Sequence, residues 1–288
     1  RMNEHHNLLS GTKLAKDLLA STRSLWMQCP QPSPTPVLAI IQVGHLDASS
    51  IYIQHKIAAC DSVGFGSKLY HFETSVTQSE LLNQLTELNN NADIHGILIQ
   101  LPLPQHLDPA ALMAHVDPMK DVDAIGPTRL GQLLSGRCSL FPCTTAAILN
   151  LLDAYSVKLS GRQVVMVGHS FLVGKPTAAA LLQEHATVTV CHAYTRDLAK
   201  HIQEAEIVIV AVGNPNVVKS DWLKKDTIVI DVGINRSQCG KIIGDVDTKA
   251  ALAKGAFVSP VPGGVGPLTV ACLVQNLFKL YGQQRPLP

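Results

Sequence analysis

The sequence predicts an α/β protein of two domains with parallel sheets, the second a Rossmann-like dinucleotide-binding domain, and a cleft between them. Three observations carry this. Short apolar, β-branched runs alternate with helical segments along most of the chain, which is the βαβ pattern of a parallel sheet. The alternation pauses at a helical stretch over about 143–155 and then starts again. The first strand after that pause, VVMVG (164–168), stops on Gly168 and passes through a short turn into a helix over 173–183, VGKPTAAALLQ. A tight strand–helix turn leaves the helix's first N–H groups unpaired at the positive end of its dipole, which suits phosphate. The spacing of Gly168, Ser170 and Gly174 is not G-x-G-x-x-G, so on its own it fits an ordinary α/β turn equally well.

Composition narrows the function classes. With 288 residues, 46% hydrophobic, 16% charged and net charge +1, the chain can build two modest cores. Nothing in that balance invites nucleic acid, and no apolar run reaches the ~20 residues that span a bilayer. The N-terminal RMNEHHNLLSG lacks the charged-then-apolar layout of a signal peptide. Seven cysteines form no CxxC pair, and their odd number argues against a full disulfide framework. The expectation is a cytoplasmic protein without membrane or nucleic-acid partners. The twelve histidines include no HExxH, so no metal is expected, and His5-His6 reads as a loose terminus.

In order, the leucines of 14–26 recur at helical spacing, and CPQPSPTP (29–36) is a connector that no helix crosses. Strands follow at VLAIIQVG (37–44), KLYHFE (68–73) and HGILIQLPLP (95–104), with helices over 49–63 and 78–90 between them. These make a first domain of 1–142. The second, 143–267, has strands at 164–168, 187–192, 207–213, 227–233 and 257–261. A last helix over 268–281, after PGGVGP, is expected to return to the first domain, taking 268–288 with it. Right-handed crossovers place helices on the sheet faces and functional groups at the strands' carboxyl ends.

Those carboxyl ends carry the candidate site. In the second domain, an acid at the end of the second strand would hold the 2′-hydroxyl of NAD. Here the strand ends Val190-Cys191-His192-Ala193 with no acid until Asp197, while His169, His192 and Arg196 lie near the ribose end. That favours NADP, although solvated loop residues would look the same. AVGNP (211–215) would form a backbone floor under the cofactor, with Gly213 allowing close approach. In the first domain, Tyr52 and Lys56 share one face of a helix, Gln100 ends the third strand, and Asp121 and Asp123 follow in DPMKDVDAIGP. A lysine beside an apolar ring-shaped ligand can carry protons near neutral pH. Gln100 could hold that amine, and Asp123 could accept N–H bonds from a heterocycle. Singly, Lys56 fits a solvated helix lysine and Tyr52 fits core packing; their convergence at one sheet edge favours function.

With SxxYxxxK (Ser49, Tyr52, Lys56), GILIQLPLP (96–104), KDVD (120–123), GxSxxVGxP (168–176), VIDVGIN (229–235), GDV (244–246) and PGGVGPLTVA (262–271), the chain resembles the bifunctional methylenetetrahydrofolate dehydrogenase/cyclohydrolase family over nearly its whole length. The resemblance implies oxidation of 5,10-methylenetetrahydrofolate to the methenyl form with NADP+, NAD+ being the lesser candidate, followed by hydrolysis to 10-formyltetrahydrofolate. This is one-carbon chemistry of the kind that feeds purine biosynthesis. By position, Lys56 handles the proton, Gln100 is its partner, Tyr52 lies along the pterin and Asp123 holds the pterin edge, with Leu101 beside them. Pro262, Gly263, Gly264 and Val265 line the substrate cleft. Gly168, His169, Ser170, Val173, Gly174, His192, Gly213 and Ile234 line the cofactor.

The chain departs from the family at Ala124, where glycine is usual, at Arg129 for an asparagine, and at Thr145-Ala146-Ala147 within PCTPxG. His169 stands for a frequent arginine and Ala193 for a serine, which softens the expected 2′-phosphate pocket. The resemblance also implies a homodimer joined through the cofactor domain. KIIGDV (241–246) is a strand candidate with no evident partner in the parallel sheet, although a hairpin folded back on its own domain fits it too. A noncatalytic folate- or dinucleotide-binding homologue, and an NADP-dependent dehydrogenase of another small molecule, are the alternatives.

Overall fold

Strand β1 (Val37–Val43) is central to the first sheet, and six of its seven residues are buried. It pairs in parallel with β2 (Gly66–Phe72) on one side and β3 (Gly96–Ile99) on the other, giving the order β2-β1-β3. Burial on both faces explains its apolar run Val37–Ile41, whereas edge strand β2 is partly exposed along its length. The computed structural model describes residues 7–30, 34–45 and 47–285, so His5-His6, part of the proline-rich connector and residues 286–288 lie outside the described residues.

The chain divides into two compact units, one of residues 16–143 with 270–285, the other of residues 7–15 with 144–269. The first unit carries α2 (Asp47–Val63) and α3 (Gln78–Asn90) between its strands. Thr77 and Glu80 form a capping box at the start of α3. At its other end the buried Lys120 donates to Leu88 O at 2.9 Å and Asn91 O at 2.7 Å, a cation placed where the helix leaves carbonyls unpaired. Two short helices that the apolar pattern did not suggest, α4 (Pro109–His115) and α5 (Pro127–Leu134), each begin on proline. β3 ends at Ile99, well short of the expected 104, because Pro102 and Pro104 have no N–H to give to a ladder. From the last helix, α10 (Val265–Gln284), Tyr281 packs edge-on against Trp26 of α1 (Thr12–Met27), with ring centroids 5.7 Å apart.

In the other unit α6 (Cys143–Ala154) precedes a five-stranded parallel sheet of order β10-β7-β6-β4-β5. Its strands are β4 (Gln163–Val167), β5 (Thr187–Cys191), β6 (Ile207–Val210), β7 (Ile228–Asp231) and β10 (Phe257–Val258). Helices α7 (Gly174–Gln183), α8 (Leu198–Glu204) and α9 (Thr248–Ala253) connect them. α7 buries Gly174, Pro176, Thr177, Ala178, Ala180 and Leu181, the small-residue face that lets a helix press close.

Residues 7–15 cluster with this unit rather than with 16–143 because Leu9 N donates to Val258 O and Val258 N to Asn7 O, which covers the outer edge of β10. KIIGDV stays out of the parallel sheet and takes the hairpin form: β8 (Asn235–Arg236) and β9 (Ile242–Ile243) pair antiparallel across the turn-prone NRSQCG. Among the described residues no helix is long and apolar enough to cross a membrane, and none of the seven cysteines forms a disulfide.

Candidate active site

The i, i+4 pair Tyr52 and Lys56 is half-buried on α2. Lys56 Nζ donates to Gln100 Oε1 at 2.9 Å. Gln100 Nε2 in turn donates to Leu101 O at 3.0 Å, and Gln100 N to Ile41 O at 2.9 Å. With the amide nitrogen committed to Leu101, the amide oxygen faces the amine, and the lysine is held where β3 ends. Tyr52 sits one helical turn before Lys56, its ring edge-on to His55. Asp123 is tied to this group through Cys143, whose thiol both Asp123 and the Lys56 charge reach. Burial pushes the Cys143 thiol well above its ordinary value, the Asp123 carboxylate raises it further as a hydrogen-bond partner, and the Lys56 charge acts on it in the opposite sense.

The loop carrying Asp123 is fixed from three sides. Ile97 N donates to Lys120 O at 2.7 Å, which pins the loop beside β3. Buried Asn276 of α10 donates to Val122 O and Phe141 O, both at 3.1 Å. Arg129 is buried, its Nε donating to Pro118 O at 2.9 Å, so this departure from the family is spent on holding the loop. Ala124 sits at φ +54°, the left-handed region that favours glycine and explains the family's usual residue there. Thr145, where the family has proline, shares a 3.0 Å hydrogen bond with Thr177, and both are fully buried.

Asp121 lines a small cavity with Asp123, Ile97 and Ile99. Burial pushes its carboxyl up to about 6, against the Gly126 N–H that favours the charged form, and Asp123 adds to the rise. Between its ordinary 3.8 and about 6 the folded protein therefore holds a proton that the unfolded chain has released. The resulting stabilisation is present below about 4 and lost as pH rises through about 6. Asp121→Asn keeps an oxygen for Gly126 N and removes the titration. Its stability relative to wild type should rise by roughly 2–3 kcal/mol between pH 4 and 7.5, read by urea unfolding. A pH-independent difference would refute the assignment.

In the other unit, Gly168 has φ +118°, and a Cβ there would meet Ala211 O at 2.4 Å. Gly174 is tighter still, since its Cβ would meet Gly168 O at 2.2 Å. Ser170 closes the turn between them: its Oγ accepts from Val173 N at 3.2 Å and its carbonyl from Lys175 N at 2.9 Å. The His169 and His192 rings lie 4.8 Å apart at the ends of β4 and β5. Asp197, the first acid after β5, is turned away to cap α8 through Lys200 N. Ile234 is half exposed, and Gly213 has φ +64° with open space where a Cβ would stand. Pro262–Val265 form a turn held by Gly11 N donating to Gly263 O at 2.9 Å. This unit therefore gathers the glycine turn, the two imidazoles and Gly213 at one sheet edge, while Lys56, Gln100, Tyr52 and Asp123 gather in the other. Among the described residues no group of His, Cys, Asp and Glu is placed to hold a metal ion.

Sequence reasoning passed over Asp231 and Asp245, noting them only inside motifs. Asp231 Oδ1 accepts from Gly233 N at 2.9 Å and Asp245 N at 3.0 Å, and its Oδ2 accepts from Val246 N at 2.9 Å. Burial nevertheless pushes Asp231 up to about 6. The signal available in the sequence is an acid beside a glycine in both DVG and GDV. A Cβ on Gly233 would strike the Asp245 carboxyl, and one on Gly244 would strike that of Asp231.

Comparison with known proteins also finds two parts, with residues 9–15 matched in the first and 270–285 in the second. A family model described as tetrahydrofolate dehydrogenase/cyclohydrolase, catalytic domain, matches residues 9–123, and one described as its NAD(P)-binding domain matches 142–285. A relative named bifunctional protein FolD from Nautilia profundicola is 42% identical over 272 residues, covering 94% of this chain and 96% of its own. The FolD methylenetetrahydrofolate dehydrogenase/cyclohydrolase crystal structure from Campylobacter jejuni is 40% identical with TM-score 0.93, covering 96% of this chain and 98% of its own. The Trypanosoma brucei enzyme, solved in complex with NADP cofactor and inhibitor, is 32% identical with TM-score 0.90, covering 96% and 97%.

Proposed function

Because the chain belongs to the tetrahydrofolate dehydrogenase/cyclohydrolase family, we infer that it oxidises 5,10-methylenetetrahydrofolate with NADP+ and hydrolyses the methenyl product to 10-formyltetrahydrofolate. The observation that carries this reading is the Lys56 amine held on Gln100 beside Asp123. NADP+, when bound, takes up the hydride from the folate's methylene carbon. The rest is positioning and proton movement. Asp123 would accept N–H bonds from the pterin, Tyr52 would lie along its ring, and Leu101 would border it. Water adds to the electrophilic methenyl carbon, and Lys56 would take a proton from that water and return one to the folate nitrogen as the carbon–nitrogen bond opens. One residue cycling a proton suffices, without metal or covalent nucleophile. A noncatalytic binder has no use for an amine so placed.

The glycine turn suits a dinucleotide, because a side chain at Gly168 or Gly174 would strike the backbone of Ala211 or of the turn itself, and their absence keeps the turn tight at the start of α7. NADP+ over NAD+ follows from Asp197 being spent on a helix cap while His169 and His192 stand together at the ribose end. The ratio of kcat/KM for NADP+ to that for NAD+ should therefore exceed one. Reduced-cofactor absorbance with methylenetetrahydrofolate measures it. No turnover with either cofactor would overturn the activity, and a ratio of one or less would overturn the role of the imidazoles.

The proposed setting is cytoplasmic one-carbon metabolism, with 10-formyltetrahydrofolate available to purine biosynthesis. The working form is a homodimer joined through the cofactor domain. The two-residue strands β8 and β9 pair only with each other among the described residues, and Ile242 is partly exposed. A second copy added by two-fold symmetry would cover such an edge. Light scattering at micromolar concentration should give twice the chain mass of 30.9 kDa; a monomer would count against it.

A further inference from the structure

The turn Val212–Asn214 after β6 is held by a carboxylate that reaches it from beyond the parallel sheet. Asp245, fully buried, follows the β8–β9 hairpin. Its Oδ2 accepts from Val212 N at 2.8 Å and Gly213 N at 3.0 Å. Its Oδ1 accepts from Asn214 N and from Asn235 Nδ2, both at 2.9 Å. Three successive backbone N–H groups converging on one anion form a nest, and the left-handed Gly213 lets the chain curl around it. The same turn lies against the glycine turn after β4, since Ala211 O fills the space where a Gly168 side chain would go. Its other face is open: a Cβ on Gly213 would meet nothing within 4 Å, and Val212 and Ile234 are half exposed.

We propose that Asp245 is a positioning residue for the dinucleotide, fixing the backbone of 212–214 as the surface on which the cofactor rests and tying that surface to the hairpin through Asn235. This rests on the reading of the unit as an NADP site. The carboxylate accepts four hydrogen bonds and donates none. An amide in its place would aim its NH2 group at two of those donors whichever way it turned. The turn would then shift while the first unit's amine and carboxylate stay where they are.

Asp245→Asn tests this through two reactions of the same chain. The KM for NADP+ in methylene oxidation and the Kd for NADP+ by calorimetry should each rise roughly tenfold or more. Hydrolysis of added methenyltetrahydrofolate, which consumes no dinucleotide, should stay within about twofold of wild type. NADP+ binding unchanged within about twofold would overturn the proposal, and so would both reactions falling in parallel, which marks a general structural loss. If wild type binds NADP+ but oxidises no methylenetetrahydrofolate, the functional reading fails, and the Kd comparison still decides the role of Asp245. Should Asp245→Asn not fold, Asn235→Ala removes one of the four donors; about threefold weaker binding is expected, and no change overturns the proposal.

Discussion

Lys56→Met should lower methenyl hydrolysis by about 100-fold or more, the usual worth of one well-placed acid–base group. Methionine keeps most of the side chain's length and its apolar contacts on α2. What it lacks is the donor that Gln100 Oε1 now receives at 2.9 Å. Gln100 stays anchored through its own Nε2 and backbone N–H, so the pocket keeps its shape. One half-buried acceptor left unpaired costs about 1 kcal/mol, too little to unfold a domain. Circular dichroism and thermal unfolding should therefore change little while the absorbance of the methenyl compound persists. Hydrolysis by the variant at the wild-type rate, above the spontaneous background, would remove Lys56 from the mechanism.

What the sequence discloses about this protein depends on how local the physics is. The central strands β1 and β4 are legible because burial on both faces forces the apolar runs 37–41 and 164–167. Tyr52 and Lys56 are legible because i, i+4 spacing fixes a shared face before any tertiary contact forms. Gly168 and Gly174 are legible as a turn, though not the severity of their packing, which depends on Ala211 and on the backbone of the turn itself. Lys120 is different. It stands in a motif that invites a chemical role, yet its partners are the carbonyls at the end of α3, about 30 residues earlier. Asp231 and Asp245 escape for the same reason, since their partners are backbone N–H groups that only the folded chain assembles. Residues 7–15 carry too few apolar positions to announce that they line β10. The partner of KIIGDV was within reach, because NRSQCG is a turn and the apolar pair on its far side could only fold back or meet another chain.

Gly174→Ala should be the most damaging single-methyl change in the cofactor unit. The added Cβ would sit 2.2 Å from Gly168 O, 2.6 Å from Gly168 C and 2.8 Å from His169 Cα. All three are backbone atoms, so no rotamer relieves the clash, and α7 must withdraw from the turn that feeds it. Overpacking of this kind costs about 1–3 kcal/mol, at the upper end where backbone meets backbone. The functional cost is larger, because a displacement of about 1 Å at a ligand-positioning element is worth about 100-fold. The expected result is a KM for NADP+ raised about 100-fold, with methenyl hydrolysis retained by the folded fraction. Gly131 is the matched control: it lies exposed within α5, where an added Cβ meets nothing within 4 Å. Gly131→Ala should raise stability by about 0.5–1 kcal/mol and leave both reactions unchanged. If Gly174→Ala bound NADP+ within about threefold of wild type, the turn would not be where the phosphates rest.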